Sequence, residues 1–262
     1  MIYDPLETEA SKKILLELID ELQPSESFGL VGGWAVHSLV GEEFLKATGR
    51  EFPMSRDIDV FIDCEGSFPR EFARAIGKVG FTPREYKFRY TLILDRNSMD
   101  KLSEREARGR QAFELIYVYL DVLGNKESSK LGVWPNEIVG RIIGEKATKV
   151  ITIGGRQVPV PRGDLLLLLK TEAFLQRETR EKKMKDACDI YGLLFYSSTR
   201  IKLSRGEPWK VELLRRGVGG MLEEEILDFI AAELFGDRLK SGLVKRGLDQ
   251  LLATLPGFVY YD

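Results

Sequence analysis

Two aspartates one residue apart, Asp57 and Asp59, stand in the run Asp57-Ile-Asp-Val-Phe-Ile62, where acidic and apolar residues alternate. That alternation, carried by β-branched and aromatic residues, predicts a strand. Residues two apart on a strand leave the same face, which sets the two carboxylates roughly 6 to 7 Å apart by strand rise. Aimed at one spot they repel. A divalent cation between them relieves the repulsion, and Mg²⁺ takes one or two carboxylates together with substrate phosphates as oxygen ligands. Ile58, Val60 and Ile62 fall on the opposite face as core candidates, which turns the acidic face toward solvent or a cleft. An Asp-x-Asp standing alone is weak evidence, more often merely a polar, exposed strand face, so the metal reading needs further residues.

Gly32-Gly33 is one such addition. It follows the apolar run Phe28-Gly-Leu-Val31 and precedes the helical pattern Trp34 to Val40. Glycines there leave backbone N–H groups at a helix start open to a phosphate; a plain tight turn is the alternative. Asp121 is the other addition. It lies in Phe113-Glu-Leu-Ile-Tyr-Val-Tyr-Leu-Asp-Val-Leu123, the most β-prone segment of the chain, on the face of Leu115, Tyr117 and Tyr119. An acid in so apolar a strand is costly unless partnered or metal-bound, which makes Asp121 the candidate third carboxylate. Glu114 competes for that role, but it shares the face of Ile116, Val118 and Leu120.

The order strand, Gly32-Gly33, helix, then Ser55-Arg-Asp57-Ile-Asp59 on a strand, then Asp121 on a later strand, resembles the DNA polymerase β-like nucleotidyltransferase superfamily. Leu169-Lys170-x-x-Ala173-x-x-x-Arg177 followed by Lys185-Asp186-x-x-Asp189-Ile190 is similar to helical motifs of AbiEii-type and related prokaryotic nucleotidyltransferase-like proteins. The resemblance covers about residues 28 to 195. It implies an enzyme, with a mixed sheet of nucleotidyltransferase type, that moves a nucleotide from an NTP to an acceptor such as tRNA, a protein or a small molecule, with a toxin-like role open. Asp57, Asp59 and Asp121 would be catalytic and would hold Mg²⁺ or Mn²⁺, in the two-ion manner of in-line displacement. Gly32, Gly33, Ser55, Lys170, Arg177, Lys185 and Asp186 would meet the nucleotide. One departure is the length between Gly33 and Asp57, whose extra residues GEEFLKATGREFPMS are expected to form a loop over the site. A non-catalytic nucleotide- or partner-binding protein of the same fold is the rival from another class.

For several of these residues a bland role competes. Lys170 and Arg177, seven apart, form a basic helix stripe if they do not touch phosphate, and Lys185 can pair with Asp189 at i, i+4. His37 and Trp34 read as a satisfied polar residue and a core side chain.

The elements that must position these groups follow from periodicity. Ile14, Leu15, Leu18, Ile19 and Leu22 make one helix face; strands are expected at 28–31, 57–62, 86–94 and 113–123, with a helix at 70–79. Residues 95–110 are a dense charge run, read as a solvated loop or helix face, with Arg105, Arg108 and Arg110 as a minority nucleic-acid contact. Val150–Ile153 and Gln157–Val160 join through Gly154-Gly155 as a hairpin, with Pro159 placing its second arm at a sheet edge. From Asp164, a candidate N-cap, the pattern is helical, with breaks near 217–220 and 236. The expectation is an α+β protein, a catalytic domain over 1–160 and an α-helical domain over 161–262.

Composition fits ordinary globular protein, 44% hydrophobic and 31% charged. With 39 Lys+Arg against 41 Asp+Glu, no overall basic field advertises nucleic acid. The longest apolar run, Leu165 to Leu169, is far short of the roughly 20 residues of a membrane span, and the first residues do not resemble a secretory signal, so a cytoplasmic location is expected. Two cysteines and one histidine exclude a disulfide framework and a structural zinc site. The scarcity of Asn and Gln beside abundant Glu, Lys and Arg hints at a thermophilic source.

Overall fold

The computed structural model describes residues 4–22, 26–197 and 207–255. Its described residues form two compact units, one built from 4–22, 26–38 and Met54–Arg162, the other from Leu39–Pro53, 163–197 and 207–255. The class is α+β: a mixed sheet with helices in one unit, helices in the other.

The sheet unit runs α1 (Pro5–Leu22), β1 (Phe28–Val31), the start of α2 (Gly32–Thr48), β2 (Ile58–Ile62), α3 (Phe68–Val79), β3 (Thr82–Pro83), β4 (Arg89–Asp95), β5 (Lys101–Leu102), α4 (Glu104–Ala107), β6 (Leu115–Gly124), β7 (Trp134–Pro135), α5 (Glu137–Gly144), β8 (Thr148–Ile153) and β9 (Arg156–Pro161). Its main sheet has the order β1-β2-β6-β4-β3, with β5 on β4 and β7 on β6. β2 and β6 are parallel, while β1–β2 and β4–β6 are antiparallel. Burial alternates along β6: Ile116, Val118, Leu120 and Val122 are core, and Tyr117, Tyr119, Asp121 and Leu123 are half-buried. α1 packs on α3 and β6 through Ile14, Leu15 and Leu18, all fully buried.

Several elements depart from the periodicity reading for local reasons. The helix after Gly33 continues to Thr48, so the expected loop 41–56 begins as helix; Phe44 gives that stretch an apolar side, packing on Phe52 and Tyr196 with ring centroids 5.3 and 4.9 Å apart. β4 starts at Arg89 and not at Tyr86, because Arg89 N–H donates to Tyr86 C=O and closes a turn over 84–88. α5 was not expected from periodicity, yet Asn136 caps it, its side chain accepting from the N–H groups of Ile138 and Val139. The hairpin β8–β9 forms its own two-stranded sheet, and Gly154 and Gly155 both take the positive φ that a two-residue turn of this hand requires. In the charge run, Arg96 pairs with Asp4 and Arg110 with Asp95, whose carboxylate also accepts from the N–H groups of Asn97 and Ser98. Glu114 accepts from Gln111 N–H at the short 3₁₀ turn before β6, outside the strand.

The helical unit comprises the rest of α2 with α6 (Gly163–Gln176), α7 (Arg180–Tyr196), α8 (Pro208–Gly220), α9 (Glu224–Phe235) and α10 (Ser241–Thr254). α6 packs on α7 and α8, and α9 on α7 and α10. Leu165 to Leu168 are fully buried, as an unbroken apolar turn must be. Asp164 lies inside the first turn of α6 and not at its cap. The break expected near 217–220 comes at the end of α8, after Gly220; Gly217 itself lies inside the helix, where a Cβ would meet Thr171 Cγ2 at 2.3 Å, so that glycine serves close helix packing. The break at Gly236 is a left-handed C-cap.

Trp34 is fully buried, and its indole N–H donates to Ser11 Oγ at 3.0 Å. Trp34→Phe, which removes the donor and leaves a buried hydroxyl, is expected to lower unfolding free energy by about 1–3 kcal/mol. Trp34→Ala should cost about 3–5 kcal/mol, both measured by urea denaturation.

Candidate functional site

The sheet register assembles a row of polar groups across adjacent strands. Val31 of β1 pairs with Asp59 of β2, Asp59 with Asp121 of β6, and Asp121 with Arg89 of β4. Directly paired residues share a face, so Asp59, Asp121 and Arg89 emerge side by side. Asp121 is held by Arg89 through two bonds: Nε donates to Oδ1 at 2.7 Å and Nη2 to Oδ2 at 2.5 Å. The same guanidinium lies 5.4 Å from the Tyr119 ring centroid, a cation–π contact that fixes its stem side. Its proton affinity is raised well above the ordinary value, first by the hydrogen bonds to Asp121, opposed by burial, and further by the negative charges of Asp121, Asp57 and Asp59. The cation thus sits in the field of all three carboxylates.

Asp57 precedes β2 by one residue. Its Oδ1 is buried and accepts no hydrogen bond among the described residues; Arg56 Nε stands 3.5 Å away as an ion-pair contact. Ser55 is fully buried and its hydroxyl donates to Asp57 C=O at 3.0 Å, which shapes the entry into β2. Gly32 has φ +62°, and a Cβ there would meet Asp59 Oδ2 at 1.9 Å and Asp59 Cβ at 2.7 Å. The Asp59 carboxylate is therefore packed directly on the glycine turn that opens α2, as the sequence pairing of those motifs anticipates. Gly33 is buried in the first turn of the same helix.

The candidate residues fall into two sets. Gly32, Gly33, Ser55, Asp57, Asp59 and Asp121 all belong to the sheet unit, while Lys170, Arg177, Lys185 and Asp186 belong to the helical unit. Within the latter, Lys170 Nζ donates to Asp186 Oδ1 at 3.0 Å and lies 2.7 Å from Asp189 Oδ2, and Arg177 Nε donates to Asp186 Oδ2 at 2.9 Å. Lys170, Asp186 and Asp189 are buried, which makes this a network tying α6 to α7. Burial pushes the Asp186 carboxyl up, but the charges and hydrogen bonds of Lys170 and Arg177 outweigh it and hold the group below the usual carboxylate range. Lys185 is half-buried on α7 one residue before Asp186.

Among the described residues, no group of three or more Asp, Glu, His or Cys side chains could hold a metal ion. A hard cation at Asp57 and Asp59 would take its remaining ligands from phosphate and water, and would satisfy the Asp57 Oδ1, which accepts no hydrogen bond among the described residues. Asp121 is engaged on both oxygens by Arg89 and becomes a ligand only when that guanidinium releases it. Arg89 is the site residue that periodicity missed. The available signal was the one that singled out Asp121, a charge opening an apolar strand, but the register that pairs them is not visible along the chain.

No protein-family model matches this chain, and no curated protein matches it. Among solved structures, an antigenic nucleotidyltransferase-like protein from Paracoccidioides brasiliensis aligns over 88% of this chain and 97% of its own, at 12% identity and a TM-score of 0.43. No helix among the described residues is long and apolar enough to cross a membrane.

Gly32→Ala is expected to destabilise the sheet unit by at least about 1–2 kcal/mol from the left-handed backbone alone. Asp59 Cβ blocks relief by side-chain rotation, so a larger drop in melting temperature should accompany it. A carboxyl with a depressed folded-state pKa stabilises the fold when ionised; its contribution is complete above about pH 4 and is lost as pH falls from there through the lower folded value. Stability should therefore fall below pH 4 in the wild type. Asp186→Asn should flatten that segment of the profile and cost about 3–5 kcal/mol near neutrality, by leaving buried Lys170 with a weakened partner set. Equilibrium unfolding of both proteins from pH 6 to pH 3 checks this.

Proposed function

We propose that the row of Asp57, Asp59, Asp121 and Arg89 beside the Gly32 turn is a metal-dependent nucleotidyltransferase centre, of the DNA polymerase β-like type that the sequence resembles. The observation that carries this is the buried, hydrogen-bond-free Oδ1 of Asp57 next to an Asp59 packed against a glycine helix start. Asp57 and Asp59 would hold Mg²⁺ or Mn²⁺, whose contribution is to neutralise the charge of the NTP phosphates. The amides of Gly32 and Gly33, at the positive end of the 17-residue α2, face an anion at no side-chain cost. Ser55 keeps the Asp57 backbone in place through its hydrogen bond. Arg89 orients Asp121 through its two hydrogen bonds. On nucleotide binding it is the cation placed to move to phosphate, freeing Asp121 to accept the proton of the attacking hydroxyl. The NTP and the acceptor, whether RNA, protein or a small molecule, are open, and so is the toxin-like role within the AbiEii-type group.

A second reading, a nucleotide-binding protein without turnover, is favoured by one observation: both oxygens of Asp121 are taken by Arg89. The two readings separate in one screen. Labelled NTPs are offered with Mg²⁺ to total RNA, protein and metabolite pools, using wild type, Asp57→Ala and Asp59→Ala. Transfer is expected in wild type, and each substitution should reduce it at least about a hundredfold, the scale of losing one electrostatic contact to a transition state. Transfer that persists in both variants sinks the proposal, and calorimetric NTP binding without pyrophosphate release moves the protein to the second reading.

A further inference from the structure

Away from the carboxylate row, the sheet unit has a groove of about 670 Å³ between the turn 83–90 and the segment 128–132. Its charged lining is cationic only: Arg84, Lys87 and Lys130, joined by Ser128 and Ser129. Lys87 is exposed and makes no ion pair among the described residues; Arg84 stands 3.8 Å from Glu104, and Lys130 Nζ donates to Gly66 C=O at 3.2 Å. Glu85, exposed on the same turn, is the nearest opposing charge in sequence and is not in the lining.

Three aromatic rings cluster next to these segments in the chain without lining the groove: Tyr86 and Phe88 flank Lys87, and Trp134 follows Gly132 by two residues. Tyr86 and Phe88 have centroids 5.7 Å apart, and Phe88 meets Trp134 edge-on at 5.1 Å. Tyr86 is 60% exposed and Trp134 51%, a large apolar outlay for a surface unless something covers it. The platform is rigidly built. Tyr90 Oη accepts from Gly132 N–H at 3.1 Å, a Cβ on Gly132 would meet Lys87 C=O at 1.7 Å, and Val122 N–H donates to Phe88 C=O at 3.0 Å. Trp134 itself pairs with Leu123 of β6. The backbone that carries Phe88 and Trp134 is thus held in place before any ligand arrives, which lowers the ordering cost of binding.

Cations lining a groove beside exposed, pre-set rings match a polymer that alternates phosphates with flat bases. We propose that this surface binds single-stranded nucleic acid, its phosphates along Arg84, Lys87 and Lys130 and its bases stacked on Tyr86, Phe88 and Trp134. A duplex keeps its bases stacked on one another and offers none to the rings, so it is excluded. The proposal stands independently of nucleotide transfer.

The test is fluorescence anisotropy with labelled 12-nucleotide single strands, dT and rU, in EDTA, on wild type and on an Asp57→Ala protein. Either single strand should bind both proteins equally, and a 12-base-pair duplex should bind at least tenfold more weakly. Trp134→Ala and Tyr86→Ala, surface changes whose melting temperature is checked alongside, should each weaken binding about tenfold. Lys87→Ala should reduce the slope of log affinity against log salt by about 0.7. Absence of binding at low salt, duplex binding as tight as single-strand binding, or affinity unmoved by both aromatic substitutions in folded protein overturns the proposal. Because the assay contains no metal and no NTP, its failure leaves the transfer reading untouched, and the reverse holds.

Discussion

Neighbouring strands of a sheet lie about 4.8 Å apart, and β2 and β6 place Asp59 and Asp121 directly across that gap. Two carboxylates so close repel, and the rest of the sheet unit is arranged around that repulsion. β4 supplies Arg89 on the far side of Asp121, in register and with its Nε/Nη2 edge donating to both carboxylate oxygens. β1 supplies the opposite flank, where the chain leaves Val31 and turns at Gly32 with no side chain to strike Asp59. A slip of one residue in any of these pairings would send a charge into the layer of Val60, Val118 and Leu120. The buried face and the charged row therefore enforce one another's register.

The two ionic clusters of the molecule solve different problems. In the helical unit, Lys170 and Arg177 pair with Asp186, and Lys170 with Asp189, across α6 and α7, with three of the four buried and Asp189 Oδ2 held by the ion pair without a hydrogen bond among the described residues. Such a network is costly to form and costlier to break, which favours one arrangement of two helices. In the sheet unit Asp57, Asp59 and Asp121 lie in the field of Arg89, and Arg56 Nε stands 3.5 Å from the buried Oδ1 of Asp57.

Much of this was written in local pattern. Period-two alternation marked Asp57 to Ile62 and the strand through Asp121, and the glycine pair marked the start of α2, because each depends on residues adjacent in the chain. Where the periodicity reading went astray, a distant partner was responsible. Phe44 makes residues 41–48 helical by packing on Phe52 and Tyr196. Lys170 and Arg177 look like an exposed basic stripe until α7 brings Asp186 and Asp189 to them.

The sequence by itself determined which strand faces carry carboxylates, where a helix could begin without a side chain, and that the second half would be helical, since propensity and periodicity are properties of neighbours. Only the tertiary structure decided that Asp59 and Asp121 are register partners, that Arg89 closes on Asp121, that Gly32 yields its space to Asp59, and that Tyr86, Phe88 and Trp134 meet beside a basic groove. Each of these joins residues tens of positions apart, and strand pairing, which sets them, is chosen by the burial of the opposite face and leaves no local mark on the residues it brings together.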